Sequence, residues 1–174
     1  MPTLPPLPKS YSAEMARSDG DRSLLFVDGW TRRLEFYPKS GQPSIVISRA
    51  DKRVIWSLSL ETKTYSETKM PAGMERAFNP DTLYDWCEDG VEMIDGRMCR
   101  RFVGRHREAS GPIGDAHEVC FVDADTGMRR RVLTFDVKGT LALTIDYLNA
   151  KVGAPSPDLF EMPEGYKRRR RVDG

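Results

Sequence analysis

The 174-residue sequence predicts an all-β protein built around one antiparallel sheet. Three observations lead to that prediction. Apolar and polar residues alternate with a period of two in several segments, turn-forming residues separate those segments, and helical periodicity is scarce. The length suits a single domain that buries its own core without disulfide or metal cross-links.

The alternation is clearest in residues 54–60. Every even position there is apolar, and serines occupy two of the three odd positions. Because successive side chains of a strand point to opposite faces, Val54, Trp56, Leu58 and Leu60 share one face of the sheet.

Three further segments alternate in the same way. In residues 30–37, Trp30, Leu34 and Phe36 share a face, with Arg32 as the exception near the open end of the segment. Residues 133–137 and 141–147 flank a Lys138-Gly139 turn, which predicts a long hairpin with one apolar face.

Turn-forming sequences separate the segments. Asp28-Gly29, Asp95-Gly96 and Asp125-Thr126-Gly127 place small or Asx residues where tight turns need positive φ. From this spacing we expect roughly eight to ten strands in meander order, joined by short connections.

The best helical candidate is the segment from Met70 to Trp86. Asn79-Pro80 interrupts it, and Asn79 or Asp81 is a suitable N-cap for a short helix after the break. One or two short helices of this kind would lie across the apolar face of the sheet.

The net charge of +1 is the sum of two unlike parts. Residues 1–166 carry 22 basic and 25 acidic residues, a charge of −3, whereas residues 167–174 carry five basic residues against Asp173, a charge of +4. A weakly acidic body argues against a nucleic-acid partner. The basic run suits peripheral contact with anionic lipid head groups, and it equally suits a solvated strand end or a disordered tail. That run is Lys167, Arg168, Arg169, Arg170 and Arg171.

The termini leave the compartment open. No apolar run approaches the roughly 20 residues of a membrane-spanning helix, and Met1 is followed at once by a proline-rich segment rather than a signal peptide. The chain is therefore either cytosolic or the mature form of an exported protein. Four prolines within residues 1–8 favour an extended lead-in, which is either a tether or a frayed terminus.

The histidines, cysteines and serines of the sequence do not occur in the spacings or motifs typical of catalytic or metal-binding sites. His106 and His117 lack metal-ligand spacing, and Cys87, Cys99 and Cys120 are too far apart for a zinc site. Neither a G-x-S-x-G motif nor a phosphate-binding glycine motif occurs. We therefore expect a non-enzymatic protein with no catalytic residue, no metal and no cofactor.

The cysteines allow two arrangements: one disulfide with one buried thiol, or three buried thiols. A turn at Asp95-Gly96 would place Cys99 opposite about Glu92, which leaves Cys87 five residues out of register. A Cys87–Cys99 disulfide would then need a bulge or a bent strand.

Several segments follow one another in the order found in a known family. They are residues 11–15, a strand at 45–52 followed by Val54-Ile55-Trp56, then Lys63-Thr64-Tyr65, a hairpin at 92–99, and a closing Pro157–Tyr166 segment with an L-F-E-x-P-x-G-Y shape. In this order they resemble the outer-membrane lipoprotein carrier-like (LolA/LolB-like) superfamily, and more closely an exported domain-of-unknown-function branch of it. The resemblance covers most of residues 11–166.

The resemblance implies a curved antiparallel half-barrel, an incomplete β-barrel with short helices over its concave apolar face. It implies a single carrier-like domain over residues 11–166, flanked by the lead-in at 1–10 and the basic tail at 167–174. It also implies export to the periplasm or outer cell envelope. The loop at 105–114 matches no family pattern, and no residue here is assigned to the arginine that steadies the carrier's lid.

Aromatic and aliphatic side chains from several strands would line the concave face if the sheet curls. One hypothesis is that this face binds a lipid, a lipoprotein acyl chain or another apolar ligand, with burial contributing about 25 cal/mol per Å². The alternative is an envelope interaction or sensor module whose face is a filled core and whose partner is a protein. The proposed ligand-binding residues are Leu34, Phe36, Trp56, Leu58, Phe135, Leu143, Ile145 and Tyr147.

Overall fold

A computed structural model describes residues 4–71, 84–106 and 117–169, which form one open sheet of twelve strands with one 3₁₀ helix. Its elements in chain order are β1 (Ser10–Arg17), β2 (Arg22–Asp28), β3 (Thr31–Tyr37), β4 (Ser44–Arg49), β5 (Val54–Ser59), β6 (Thr64–Lys69), β7 (Tyr84–Ile94), β8 (Arg97–His106), β9 (His117–Asp123), β10 (Arg129–Phe135), β11 (Leu141–Val152), the 3₁₀ helix (Pro157–Phe160) and β12 (Lys167–Arg168).

The strands lie side by side as two meanders joined between β1 and β11. The order across the sheet is β12-β6-β5-β4-β3-β2-β1-β11-β10-β9-β8-β7. Each neighbouring pair is antiparallel except β12 and β6, which are parallel. The prediction of an all-β, open half-barrel is confirmed.

The structure has more strands than the eight to ten expected, and two of them explain the difference. Strand β9 is buried along Val119–Asp123 and therefore shows no polar alternation. Strand β12 has only two residues, both exposed. Neither carries the period-two signal on which the expectation rested.

The segment predicted to be helical is only partly described. Residues 72–83 lie outside the described residues. Trp86, at the predicted helix end, belongs instead to β7, where it pairs with Gly104 of β8. Among the described residues, no helix is long and apolar enough to cross a membrane.

The Asp95-Gly96 turn forms as the sequence predicts. Both residues have positive φ, at 48° and 78°, as a two-residue type I′ hairpin requires. The turn sets the register of β7 and β8, in which Cys99 lies opposite Glu92.

Segments from opposite ends of the chain pack on the two faces of the sheet, each on part of one face. We call one the lead-in face, because Leu4 and Leu7 of the N-terminal lead-in pack on it. Leu4 is 8% exposed and joins a core cluster with Trp86 and Phe102, while Leu7 packs against a cluster that contains Tyr11. The described part of the proline-rich segment is therefore packed against the sheet.

The other face, the strap face, is covered by residues 153–169, which we call the strap. Met162 and Tyr166 of the strap pack on a buried cluster of β4 and β5. Arg33 Nη1 donates a hydrogen bond to the Leu159 carbonyl at 3.0 Å, and Arg49 Nη1 donates one to the Phe160 carbonyl at 3.0 Å. These two bonds fix the 3₁₀ helix across β3 and β4, so that the strap reaches the far edge of the sheet as β12.

The ion pairs at the strap predict a pH-dependent contribution to stability. Arg49 donates hydrogen bonds to both carboxylate oxygens of Asp51, at 2.8 and 2.6 Å, and lowers the pKa of Asp51 from 3.8 to about 2. Because the folded-state pKa is the lower one, the stabilisation is complete above about pH 4 and is lost as the pH falls towards about 2. The Asp51 side chain is 55% exposed, so solvent screening limits the contribution to about 0.5 kcal/mol.

Urea unfolding of the native protein and Asp51→Asn at several pH values measures this contribution. We expect the native protein to be more stable than the variant near neutral pH, with the difference vanishing in strong acid. A difference that is independent of pH would contradict the assignment to the Arg49–Asp51 pair.

Candidate binding face

The strand register divides the eight proposed ligand-binding residues between the two faces. Leu34 pairs with Leu25 and Val46, on the lead-in face. Trp56 pairs with Ile47, on the strap face. The expectation that all eight share one face is therefore corrected: Leu34, Phe36, Leu143, Ile145 and Tyr147 lie on the lead-in face, and Trp56, Leu58 and Phe135 lie on the strap face.

The three strap-face residues are already packed. Trp56 and Leu58 are 9% and 2% exposed in the cluster beneath Met162 and Tyr166. Phe135 packs against a separate cluster that includes Val119, and its ring stacks on His117 at a centroid distance of 4.5 Å. These side chains form core rather than an open surface.

The central strands distinguish the two faces further. On the strap face, ion pairs join Arg22 to Glu14 at 2.8 Å and Arg131 to Asp146 at 2.5 Å. On the lead-in face of the same strands lie the buried side chains of Tyr11, Ala13 and Val27 and the partly buried Tyr147. At the middle of the sheet, the buried apolar side chains therefore lie on the lead-in face.

The lead-in face is tightly filled at one end and less so at the other. On β7–β10, Trp86, Phe102, Cys120, Val122 and Val132 form a buried cluster with Leu4. On β3–β5, a row of apolar side chains is only half-buried and belongs to none of the core clusters of the described residues. This row, which we call the open row, is Leu34, Phe36, Val46 and Ile55.

The sequence identifies only half of the open row. Leu34 and Phe36 stand out through their alternation with charged residues. Val46 lies within the apolar run Ile45–Ile47, where no polar neighbour indicates which side chain faces which way. Ile55 alternates with the core residues Val54 and Trp56, and its pairing with Ser48 places it on the lead-in face.

The pKa values of two tyrosines on the lead-in face are raised by their surroundings. Burial raises the pKa of Tyr84 to about 12, and the nearby Glu118 adds to the rise. Burial also raises the pKa of Tyr147, against an opposing contribution from the buried Arg129 beside it. Both phenols therefore stay protonated at neutral pH, and neither adds a negative charge to this face.

The histidines and cysteines do not converge on a site in the described structure. The His106 ring packs edge-on against Tyr84 at 5.4 Å, and the loop at 107–116 lies outside the described residues. None of the three cysteines forms a disulfide: Cys87 is exposed opposite Val103, whereas Cys99 and Cys120 are buried. The structure therefore holds no Cys87–Cys99 disulfide.

These features define an open β half-barrel with one face packed by the N-terminal lead-in and the other crossed by the strap. No protein-family model and no curated protein sequence matches the chain. The fold is nevertheless shared with solved structures. An uncharacterised conserved protein from Thermus thermophilus has a TM-score of 0.65 at 16% identity, over 95% of this chain and 92% of that one.

Two further similar structures carry names. MucB, in the MucA/MucB complex of Pseudomonas aeruginosa, has a TM-score of 0.55 at 18% identity, over 88% of this chain and 56% of that one. The lipoprotein LppX of Mycobacterium tuberculosis has a TM-score of 0.52 at 9% identity, over 85% of this chain and 89% of that one. The resemblance to the lipoprotein carrier-like superfamily is thereby confirmed for the fold.

Proposed function

We propose that this protein is a non-enzymatic cell-envelope protein that binds a lipid, a lipoprotein acyl chain or another apolar ligand on its lead-in face. The observation that carries the proposal is the open row, where Leu34, Phe36, Val46 and Ile55 are only half-buried, in contrast to the filled core at the other end of the same face. An apolar chain lying along these side chains would complete their burial, which contributes about 25 cal/mol per Å². The likeness to LppX, which is a lipoprotein, supports the envelope location.

The alternative is an envelope protein-interaction module. The likeness to MucB, solved in complex with MucA, favours it, although this chain covers only 56% of the MucB chain. In that case the open row would receive an apolar segment of a partner protein. The two functions share a face and differ in whether a free lipid binds to it.

Phe36→Asn tests the proposal through a polar change in the open row. Full burial of a phenylalanine side chain contributes roughly 1.5–3 kcal/mol, and the variant loses part of this contribution. We therefore expect it to weaken binding of a fluorescent fatty-acid probe by about tenfold. Tyr37→Asn is the matched control, because the neighbouring side chain points to the strap face and is 39% exposed. Fluorescence titration measures both affinities.

Trp56→Ala is the second control, for packing. It should lower the free energy of unfolding by about 3–5 kcal/mol, because the indole is buried beneath the strap, and leave the probe affinity of the folded protein unchanged. No probe binding by the native protein, together with no co-purifying lipid in native mass spectrometry, would refute the proposal in favour of the protein-interaction module.

A further inference from the structure

The lead-in face changes from apolar to polar towards the β12 edge of the sheet. Beyond the open row, hydroxyl side chains pair across the strands: Ser57 with Ser66, and Ser59 with Thr64. Each of these four residues lies on the lead-in face through its register with β4 and β3. They form a strip of hydrogen-bonding groups on two neighbouring strands, whose axes lie about 5 Å apart.

Two cations lie at the outer end of this hydroxyl strip. Lys167 pairs with Thr64 in the parallel β12–β6 ladder, so its side chain lies on the lead-in face. Arg169 Nε donates a hydrogen bond to Thr64 Oγ1 at 2.8 Å, which brings its guanidinium to the same face. Both residues are exposed, and within the described structure no salt bridge joins either of them to an acidic side chain.

The intervening residue is arranged differently. Arg168 pairs with Tyr65 on the strap face, and its Nη2 lies 3.1 Å from Glu67 Oε1. The alternation of β12 therefore places two positive charges on the lead-in face and one neutralised charge on the strap face. Of the three cations at 167–169, the two that form no ion pair in the described structure therefore lie on the face that carries the open row.

We infer that the ligand of the lead-in face is an anionic amphiphile, whose apolar chain lies on the open row and whose negatively charged head group lies against Lys167 and Arg169. This inference rests on the proposed function and adds the charge and orientation of the ligand. The head group would lie about three strand spacings, roughly 14 Å, from Val46 on β4. The hydroxyl strip between them would hydrogen-bond the polar part that joins head to chain, and charge-assisted bonds from the guanidinium would fix the anion.

Three probes used as monomers, below their micelle concentrations, test the inference by calorimetry. They are lysophosphatidylglycerol, a monoacylglycerol of the same chain length, and glycerol 3-phosphate without a chain. We expect the anionic lysolipid to bind about tenfold more tightly than the neutral monoacylglycerol, and the chainless phosphate to bind far more weakly than either. Raising the salt concentration should reduce the preference, because both cations are exposed.

The double variant Lys167→Ser/Arg169→Ser should abolish the preference for the anionic probe and leave monoacylglycerol affinity unchanged. Arg168→Ser is the matched control on the same strand and should retain the preference. Equal binding of lysophosphatidylglycerol and the monoacylglycerol by the native protein would overturn the inference while leaving the proposed function intact. Tight binding of glycerol 3-phosphate would overturn it in favour of a free-anion site, and failure to bind any chain-bearing probe would refute the proposed function itself.

Discussion

Phe102→Ala should lower the free energy of unfolding by about 3–5 kcal/mol, one of the largest losses available to a single substitution in this protein. Phe102 is 0% exposed and is the largest of the fully buried side chains. It belongs to a buried cluster with Leu4 of the lead-in and residues of β9 and β10. Truncation leaves a cavity that the rigid sheet closes only in part, so the cavity cost adds to the lost burial.

The size of this loss also bears on function. If the lead-in face at β8 is filled core, Phe102→Ala costs the full amount; if the face there were an open ligand surface, the cost would be that of a half-exposed residue, about 1 kcal/mol. Met98→Ala is the control on the same strand, because Met98 is 50% exposed and should change stability by about 0.5 kcal/mol or less. Equilibrium urea unfolding followed by circular dichroism gives both values. A loss near 1 kcal/mol for Phe102→Ala would extend the proposed binding face to β8.

The sequence predicts the sheet well because strand formation here is a local property. Alternation identifies β3, β5 and β11, and the Asp95-Gly96 pair sets a turn whose positive φ values follow from the residues themselves. The half-barrel was predicted from the resemblance, which rests on the order of several segments and not on any one of them.

The candidate site was predicted only in part, because face assignment depends on register between strands. Alternation shows that Leu34 and Phe36 share a face, and separately that Trp56 and Leu58 do. It does not show whether the two pairs share the same face. Strand β4 lies between them, and its Ile45-Val46-Ile47 run is apolar on both sides, so its sequence offers no polar marker. The pairing of Val46 with Leu34 and of Ile47 with Trp56 separates the two sets.

The segments that cover the faces are equally hidden from sequence periodicity. Leu4 and Leu7 stand among prolines and have no strand or helix pattern. The burial of Leu4 depends on contacts with residues about 80 or more positions away, such as Trp86, whereas Leu7 packs on a cluster that joins Tyr11 to the distant Met128. The strap is fixed by arginine bonds to backbone carbonyls, which no side-chain motif records. The basic run is visible in the sequence, but only its pairing with β6 shows which of its charges share a face with the open row.

Gly104→Ala should destabilise the protein although it adds only a methyl group. A Cβ atom at Gly104 would lie 2.6 Å from Trp86 Cζ3 and under 3 Å from two further atoms of the same ring. The indole contacts the glycine of the neighbouring strand, and Trp86 is itself only 8% exposed, which leaves it little room to move. Overpacking of this kind costs about 1–3 kcal/mol.

The Gly104→Ala substitution also has a stabilising effect, which opposes the steric cost. Replacing glycine by alanine restricts the unfolded chain and by itself stabilises a protein by about 0.4–1 kcal/mol. The steric cost is expected to exceed this gain, so Gly104→Ala should be destabilising on balance, and Gly104→Val more so.

Gly104→Ala in a Trp86→Leu background tests whether the cost of the alanine comes from its clash with the indole. With the indole removed, the clash disappears and only the backbone effect remains, so Gly104→Ala should become neutral or stabilising in that background. A double-mutant cycle measures this effect by urea unfolding of the native protein, both single variants and the double variant. We expect a coupling free energy of about 1–3 kcal/mol between the two substitutions. The same cost for Gly104→Ala in both backgrounds would mean that the glycine is needed for the backbone of β8 and not to receive Trp86. A coupling in the expected range would show that the indole is seated against β8 as part of the filled end of the lead-in face, which confines any ligand to the open row.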